Sequence, residues 1–325
     1  MSLEPDWVVR TGTTFMQRLD LFGFDPQAGP LFGVDLLAGT VYGAAVMSGR
    51  APTVLVFDSG LGGLSVFAEL RTALAGARFI YAADDAVFPY GRLPEDVLIA
   101  RVVAIMDRLI PLHRPDLVVI ACGTASTLVL PALRARFTLP FVGTVPAIKP
   151  AVALTRTGRV AILATPGTVK RDYTKALIAS YAAGIEVELV GATGLATLAE
   201  ASLKGEPVSD ADWLEQIAPC FVDRDGKRTD VVVLACTHYP LVLDALERVA
   251  PWPVTWLDPS PAIARRALQL AGPIPPGAVP EEAFAIFTGG AGLGTGLREV
   301  LRARGLATIE IEPIASALPI ASILH

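Results

Sequence analysis

The sequence predicts an α/β protein built from two similar domains, each a mainly parallel sheet flanked by helices, with a functional site in the cleft between them. Three observations predict it. Short runs rich in Val, Ile and Leu alternate with stretches of helical periodicity, as expected for parallel strands covered on both faces. The order of elements repeats: the strand and turn at 53–60 (TVLVFDSG) is matched by another at 159–167 (RVAILATPG). Two later strands agree almost letter for letter, with 116–124 reading DLVVIACGT and 230–238 reading DVVVLACTH.

In chain order, strands are expected at 53–57, 78–82, 116–121, 159–163, 185–190, 230–235 and 284–288. Helices are expected at 63–75, 95–110, 125–137, 169–183, 210–218, 240–250, 261–271 and 294–304. Turn residues at 144–158 (TVPAIKPAVALTRTG) mark a change of domain, and the chain returns near 258–262. The expected organisation is an N-terminal extension at 1–52, a first domain from 53–146 with 260–325, and a second from 147–259.

Composition limits the function classes. With 325 residues, 52% hydrophobic and 18% charged, the chain has enough apolar matter for a sizeable core and too much for disorder. A net charge of −5 without a long basic run argues against nucleic acid and acidic membrane surfaces as partners. The opening MSLEPDWVVR is not a secretory signal, and 30–48 is broken by Pro30, Asp35 and three glycines, so no membrane span is expected there. Three cysteines without Cys-x-x-Cys spacing are not a disulfide framework and fit the reducing cytoplasm. Three histidines do not suggest a His-rich metal site, and no metal is expected.

Ligands of open parallel sheets bind beyond the carboxyl ends of the strands. Cys122, Cys236, Asp58, Asp84 and Thr165 all fall there. Two duplicated domains meeting at those ends would put one thiol on each side of a single cleft. A pair of like groups facing each other suits a reaction in which one thiolate removes a proton from carbon and the opposite thiol returns one to the other face, inverting a stereocentre. A cysteine protease arrangement does not need the second thiol. A helix start after each cysteine is expected to lower the thiol pKa. Cys220, in an apolar segment, reads as core. His238 could hold a proton beside Cys236, or simply cap a helix.

Three turns complete the candidate site. In FDSGLGGLS (57–65), Asp58 and Ser59 close a strand, and the glycines expose amides that could receive a carboxylate. The same stretch superficially resembles a dinucleotide fingerprint with Asp84 as the ribose acid, but Ser65 stands at the third glycine position. In DDAVFPYG (84–91), Pro89, Tyr90 and Gly91 form a fixed turn that could offer amides and a phenol. In ATPGT (164–168), Thr165 and Thr168 could bind a carboxylate.

Together, VFDSGLGGLSV, ADDAVFPYG, ACGTAS, ATPGTV and ACTHYPL closely resemble the glutamate racemase family of the Asp/Glu racemase superfamily, over about residues 53–290. The resemblance implies interconversion of L- and D-glutamate without a cofactor, supplying D-glutamate for peptidoglycan. It implies Cys122 and Cys236 as the two bases, the latter acting on L-glutamate. It places Asp58, Ser59, Pro89, Tyr90, Gly91, Gly123, Thr124, Thr165, Thr168, Thr237 and His238 around the substrate. Asp58, Asp84 and His238 would assist the thiols, with Glu200 in GLATLAE as the acid accompanying the histidine. Members often form dimers, so a homodimer is the expected assembly. The chain departs from the family at Gly123, where Asn is usual, at Asp85 and Val87, and in 191–199, which lacks the usual Cys-Pro. Relatives in the superfamily act on aspartate, hydantoins or malonates, and a non-catalytic binding homologue is the remaining alternative.

Overall fold

The computed structural model describes residues 9–10, 50–279 and 281–314. Most of the expected N-terminal extension lies outside the described residues. Strand β1 (Val9–Arg10) is followed by β2 (Thr53–Asp58), helix α1 (Leu64–Ala73), β3 (Arg78–Ala83), α2 (Glu95–His113), β4 (Leu117–Ile120), α3 (Gly123–Arg136) and β5 (Phe141–Gly143). A second series runs α4 (Ile148–Leu154), β6 (Arg159–Ala164), α5 (Pro166–Lys170), α6 (Asp172–Tyr181), β7 (Glu186–Gly191), α7 (Leu195–Leu203) and α8 (Asp210–Ile217). A small hairpin, β8 (Asp223–Arg224) and β9 (Lys227–Arg228), leads to β10 (Val231–Leu234), α9 (Leu243–Val249) and β11 (Thr255–Leu257). The chain ends with α10 (Ser260–Ala271), β12 (Ala283–Phe287), α11 (Thr295–Ala303) and β13 (Leu306–Ile311).

One sheet has the order β13-β12-β3-β2-β4-β5, with every pairing parallel. The other has the order β1-β11-β10-β6-β7 and is parallel except at β1. The α/β architecture read from the sequence is the one observed.

The repeated strand explains itself. Leu117–Ile120 and Val231–Leu234 are buried along their whole length because helices cover both faces. Each such side chain contributes about 1.5–3 kcal/mol by leaving water, which is why both strands are apolar at every position. The leading aspartates have a shared task at the opposite end from the cysteines. Asp116 accepts from Arg50 at 2.8 and 2.6 Å and from the Thr53 amide at 2.8 Å. Asp230 accepts from the Thr155 hydroxyl at 2.6 Å and from the Arg156 and Thr157 amides at 2.7 and 3.1 Å. Each ties down a neighbouring loop at the start of a central strand, and so fixes the register that delivers a cysteine at its other end.

Helices α4 and α7 form where none was expected, and two of the expected helices differ. The run 169–183 is two helices, α5 and α6, because Arg171 takes an extended conformation (φ −67°, ψ 137°) between them. The run 240–250 begins as a 3₁₀ turn, Tyr239–Val242, before α9. Pro240 sits in that first turn, where its missing N–H costs nothing. Consequently Cys236 does not stand at an α-helix start as Cys122 does.

Candidate active site

Cys122 follows β4 and occupies the N-cap position of α3, while Cys236 follows β10. Both are free thiols, 5% and 8% exposed respectively. Cys122 Sγ lies 3.6 Å from Ser59 Oγ. Burial pushes the Cys122 thiol up to about 12, and the nearby Asp58 carboxylate pushes the same way. The Ala125 amide and the Ser59 hydroxyl pull it down but do not win. The expectation that the helix start would leave this thiol with a lowered pKa is therefore corrected: desolvation exceeds the pull of one helix terminus. A charge on Cys236 also raises Cys122, so the two thiols lie within electrostatic reach of each other.

His238 caps no helix with its ring. Its Nδ1 is 3.7 Å from Cys236 Sγ, and its Nε2 is 3.1 Å from Glu200 Oε1. Burial alone would lower the imidazole pKa, but Cys236 and Glu200 outweigh it and raise it well above its ordinary value. Burial would raise Glu200, yet His238, the Leu61 amide and Lys204 together hold it below the usual carboxylate range. The structure thus brings Cys236, His238 and Glu200 into one chain of contacts, with a cationic ring against the sulfur.

The FDSGLGG turn serves that chain from the opposite sheet. Leu61 N donates to Glu200 Oε1 at 2.8 Å, and Gly60 N donates to Asp58 Oδ1 at 2.7 Å. The Gly60 and Leu61 amides, expected to receive a ligand carboxylate, are thus occupied by the protein's own carboxylates. The glycines answer a packing demand instead. A Cβ on Gly60 would lie 2.1 Å from Glu200 Oε1, and one on Gly62 would lie 2.3 Å from His238 Nδ1. Asp58 also accepts from Thr237 Oγ1 at 3.1 Å, and Ser65 Oγ donates to the Thr237 carbonyl at 2.9 Å. Burial raises the Asp58 pKa despite His238, Gly60 and Thr237.

Asp84 and Tyr90 require correction. Asp84 is fully buried, and both its oxygens are taken. Oδ1 accepts from Arg101 Nη2 and Thr288 Oγ1, each at 2.6 Å, and Oδ2 accepts from Arg101 Nε at 2.9 Å and the Tyr90 hydroxyl at 2.6 Å. A carboxylate committed in this way anchors the 84–91 turn and has no lone pair left for a thiol or a ribose. The Tyr90 phenol points into that anchor, so the side chain is not free to meet a ligand. Pro89 precedes it through a cis peptide bond. Asp85 accepts from the Gly289 and Gly290 amides, each at 2.7 Å, and so faces the loop after β12.

Across the cleft, Gly91, Thr124, Thr165 and Thr168 converge. Thr165 Oγ1 is 3.0 Å from both Thr124 Oγ1 and Thr168 Oγ1, and it caps α5 by accepting from Thr168 N at 3.2 Å. A Cβ on Gly91 would lie 3.8 Å from Thr165 Cβ. Gly123, Thr144, Thr168, Cys236 and Thr237 share one recess, and Thr144 Oγ1 is buried in it without a partner. Among the described residues, no group of three or more His, Cys, Asp or Glu is placed to hold a metal ion.

Sequence reasoning missed Arg101, Thr288, Lys204 and Thr144. Arg101 had a signal: it is a cation on the apolar face of α2 among Val97, Leu98, Val102 and Ile105, where a charge needs a buried partner. The other three had none, because their importance comes from contacts between distant segments.

Over residues 64–267 the sequence matches the Asp/Glu/Hydantoin racemase family. The glutamate racemase of Brucella anthropi is 57% identical over 221 residues, covering 68% of this chain and 80% of that protein. The glutamate racemase of Agrobacterium fabrum is 55% identical over 240 residues, covering 73% and 88%. The fold is similar to the crystal structure of Escherichia coli glutamate racemase in complex with L-glutamate and the activator UDP-MurNAc-Ala, with a TM-score of 0.75 and 42% identity over 82% of this chain and 100% of that one. It is also similar to the Thermus thermophilus glutamate racemase in complex with β-chloro-D-alanine, with a TM-score of 0.64, 28% identity, and 81% and 97% coverage.

Proposed function

The chain belongs to the Asp/Glu/Hydantoin racemase family, and from that premise we propose that it interconverts L- and D-glutamate, without a cofactor, by proton transfer between Cys122 and Cys236. It is an amino-acid racemase, an isomerase whose product serves peptidoglycan synthesis. The observation that carries the reading is that two buried thiols follow the carboxyl ends of matching strands in the two sheets, within electrostatic reach of each other.

In this reading, a Cys236 thiolate takes the α-proton of L-glutamate and the Cys122 thiol delivers a proton to the opposite face. The reverse turnover exchanges the roles. Burial and Asp58 hold Cys122 as the thiol, and the His238 ring stands 3.7 Å from Cys236 Sγ. Ser59, Thr124, Thr165, Thr168, Thr237 and the backbone at Gly91 and Gly123 line the space for the substrate carboxylates. Asp84 and Tyr90 hold the 84–91 turn in place. The two halves of this reading are 53–146 with 260–325, and 147–259. A homodimer in the cytoplasm belongs to it too, and sedimentation velocity checks the assembly. Among the described residues, no helix is long and apolar enough to cross a membrane.

The test is incubation in deuterated water with L- or D-glutamate, following deuterium at Cα by NMR and inversion by circular dichroism. Exchange and inversion from both enantiomers are expected. Exchange with aspartate but not glutamate would move the assignment within the family. A glutamate-induced rise in melting temperature without exchange would make the protein a binding homologue.

A further inference from the structure

We propose that Lys204 is a positioning residue for the Cys236 half of the reaction, holding the Glu200–His238 pair in the charged state that serves the sulfur. The proposal rests on the racemase reading above. Lys204 lies just beyond α7, one turn after Glu200, and its Nζ is 3.1 Å from Glu200 Oε2. The two side chains are 29% and 6% exposed.

Glu200 Oε1 is already occupied by the Leu61 amide at 2.8 Å and His238 Nε2 at 3.1 Å. A buried carboxylate also needs a donor on its other oxygen, and Lys204 supplies it. The result is a line of alternating charge, Lys204–Glu200–His238, ending on Cys236. The neighbours of Cys122 are Ser59, the Ala125 amide and an anion, Asp58, so its corner is built the other way.

The loop after β12 keeps Lys204 in place. Asp85 grips that loop through the Gly289 and Gly290 amides. The loop passes so close that a Cβ on Gly292 would lie 3.3 Å from Lys204 Nζ, and one on Gly296, in the first turn of α11, would lie 3.2 Å from the Lys204 carbonyl oxygen. Lys204 is therefore a side chain enclosed on two sides and aimed at Glu200, unlike a freely solvated surface lysine. Its charge is one of the causes that keep the Glu200 carboxylate ionised.

Racemisation itself cannot separate the two halves, because the kcat/KM values for L and D are tied by the overall equilibrium. Elimination can. With a β-chlorinated glutamate, one thiolate takes the α-proton and chloride leaves from Cβ; the enamine so formed takes a proton from water at Cβ to become an imine, which water hydrolyses to a 2-oxo acid and ammonium. Only one base acts on each enantiomer. Lys204→Met is expected to slow elimination from the L form about fivefold, as for a partly exposed ion pair, and to change the D form by less than about twofold. The acid limb of the L-form pH profile should move to higher pH as Glu200 becomes easier to protonate. Lys204→Arg should restore both. If Lys204→Met does not fold by circular dichroism, Lys204→Gln takes its place. Equal slowing of both enantiomers, or no slowing of either, overturns the proposal for Lys204 alone. Wild-type protein that neither racemises glutamate nor eliminates chloride overturns the racemase reading, and this proposal with it.

Discussion

Cys122 and Cys236 end strands of nearly the same sequence, yet they sit in opposite electrostatic settings. Cys122 is at a helix N-cap beside Ser59 and the Asp58 carboxylate, with its thiol raised to about 12. Cys236 precedes a 3₁₀ turn that swings the His238 ring back to 3.7 Å from its sulfur. A duplicated strand supplies equivalence of position, and the residues that follow it give the two sulfurs different neighbours. Two-base chemistry requires both. The thiols must be interchangeable in reach, but at any instant one must be a thiol and the other a thiolate.

The strongest way to break the comparison is to remove one corner. Cys122→Ser and Cys236→Ser should each reduce glutamate racemisation by about a thousandfold or more, because serine cannot supply a base or an acid of matching strength. Each variant should still eliminate chloride from the enantiomer served by the surviving cysteine. Polarimetry and 2-oxo acid release measure the two activities. Full racemisation by Cys236→Ser would end the two-base account.

Next in size is the charge line. Glu200→Gln should cost about ten- to a hundredfold in elimination from the L form, since a general acid–base group loses its correct state. The same variant has a stability signature. The Glu200 contribution, from a lowered folded pKa, is present above the ordinary carboxylate value of about 4.3 and fades as pH falls through the lower folded value. The His238 contribution, from a raised folded pKa, is complete below about 6.5 and fades as pH rises through the folded value. The melting-temperature gap between wild type and variant should therefore be widest between about pH 4.5 and 6.5. A gap that stays constant with pH would show that the two groups do not titrate as a pair.

The fold and the paired thiols could be read from the sequence because they leave local marks: apolar runs, repeated strings, and turn residues at strand ends. Strands β5 and β11, three residues each, are too short to show a period. The charged line could be read only in part. Glu200 was reached by resemblance, but nothing local distinguishes Lys204 from any lysine near a helix end. The largest misreading concerned glycine. Gly60 and Gly62 looked like a turn opening amides to a ligand, whereas they are bare so that Glu200 and His238 can come close from the other sheet. A glycine reports that something approaches, and not what approaches. The surroundings of Asp84 and Tyr90 were hidden in the same way: Arg101 holds Asp84 from helix α2, and Asp84 in turn accepts from the Tyr90 hydroxyl.

A smaller effect is expected at Gly123, where the resemblance leads one to expect Asn. A Cβ there would lie 3.2 Å from the Ala235 carbonyl oxygen and 3.8 Å from Thr144 Oγ1, so the Ala235 backbone must give by a few tenths of an ångström. The added amide would share a recess with the unpartnered Thr144 hydroxyl. Asp85 cannot stand in for it, being held by the loop at 289–290. Gly123→Asn should raise kcat/KM for glutamate by up to about tenfold, corresponding to one hydrogen bond to a charged group. A fall, with stronger activity on another amino acid, would mean that the bare position makes room for a different substrate.

The smallest effect on catalysis should come from Cys220, and it sharpens the comparison by supplying a third thiol. Cys220 is fully buried in the core of the second sheet, among Trp213, Ile217 and Trp256, and burial raises its thiol to about 12, as it does for Cys122. Desolvation alone therefore does not distinguish a working cysteine from a packed one. The distinction lies in what surrounds the sulfur. Cys122 has Ser59, Asp58 and the opposite thiol, whereas among the described residues the charged group that acts on Cys220 is the Glu188 carboxylate. Cys220→Ser should leave kcat/KM for glutamate within about twofold of wild type while lowering stability by about 1–3 kcal/mol, the cost of a buried hydroxyl without a prepared partner. Chemical denaturation and racemisation kinetics on one preparation measure both. A large loss of turnover at unchanged stability would mean that burial was the relevant property after all, and that the cleft geometry does not select which thiols react.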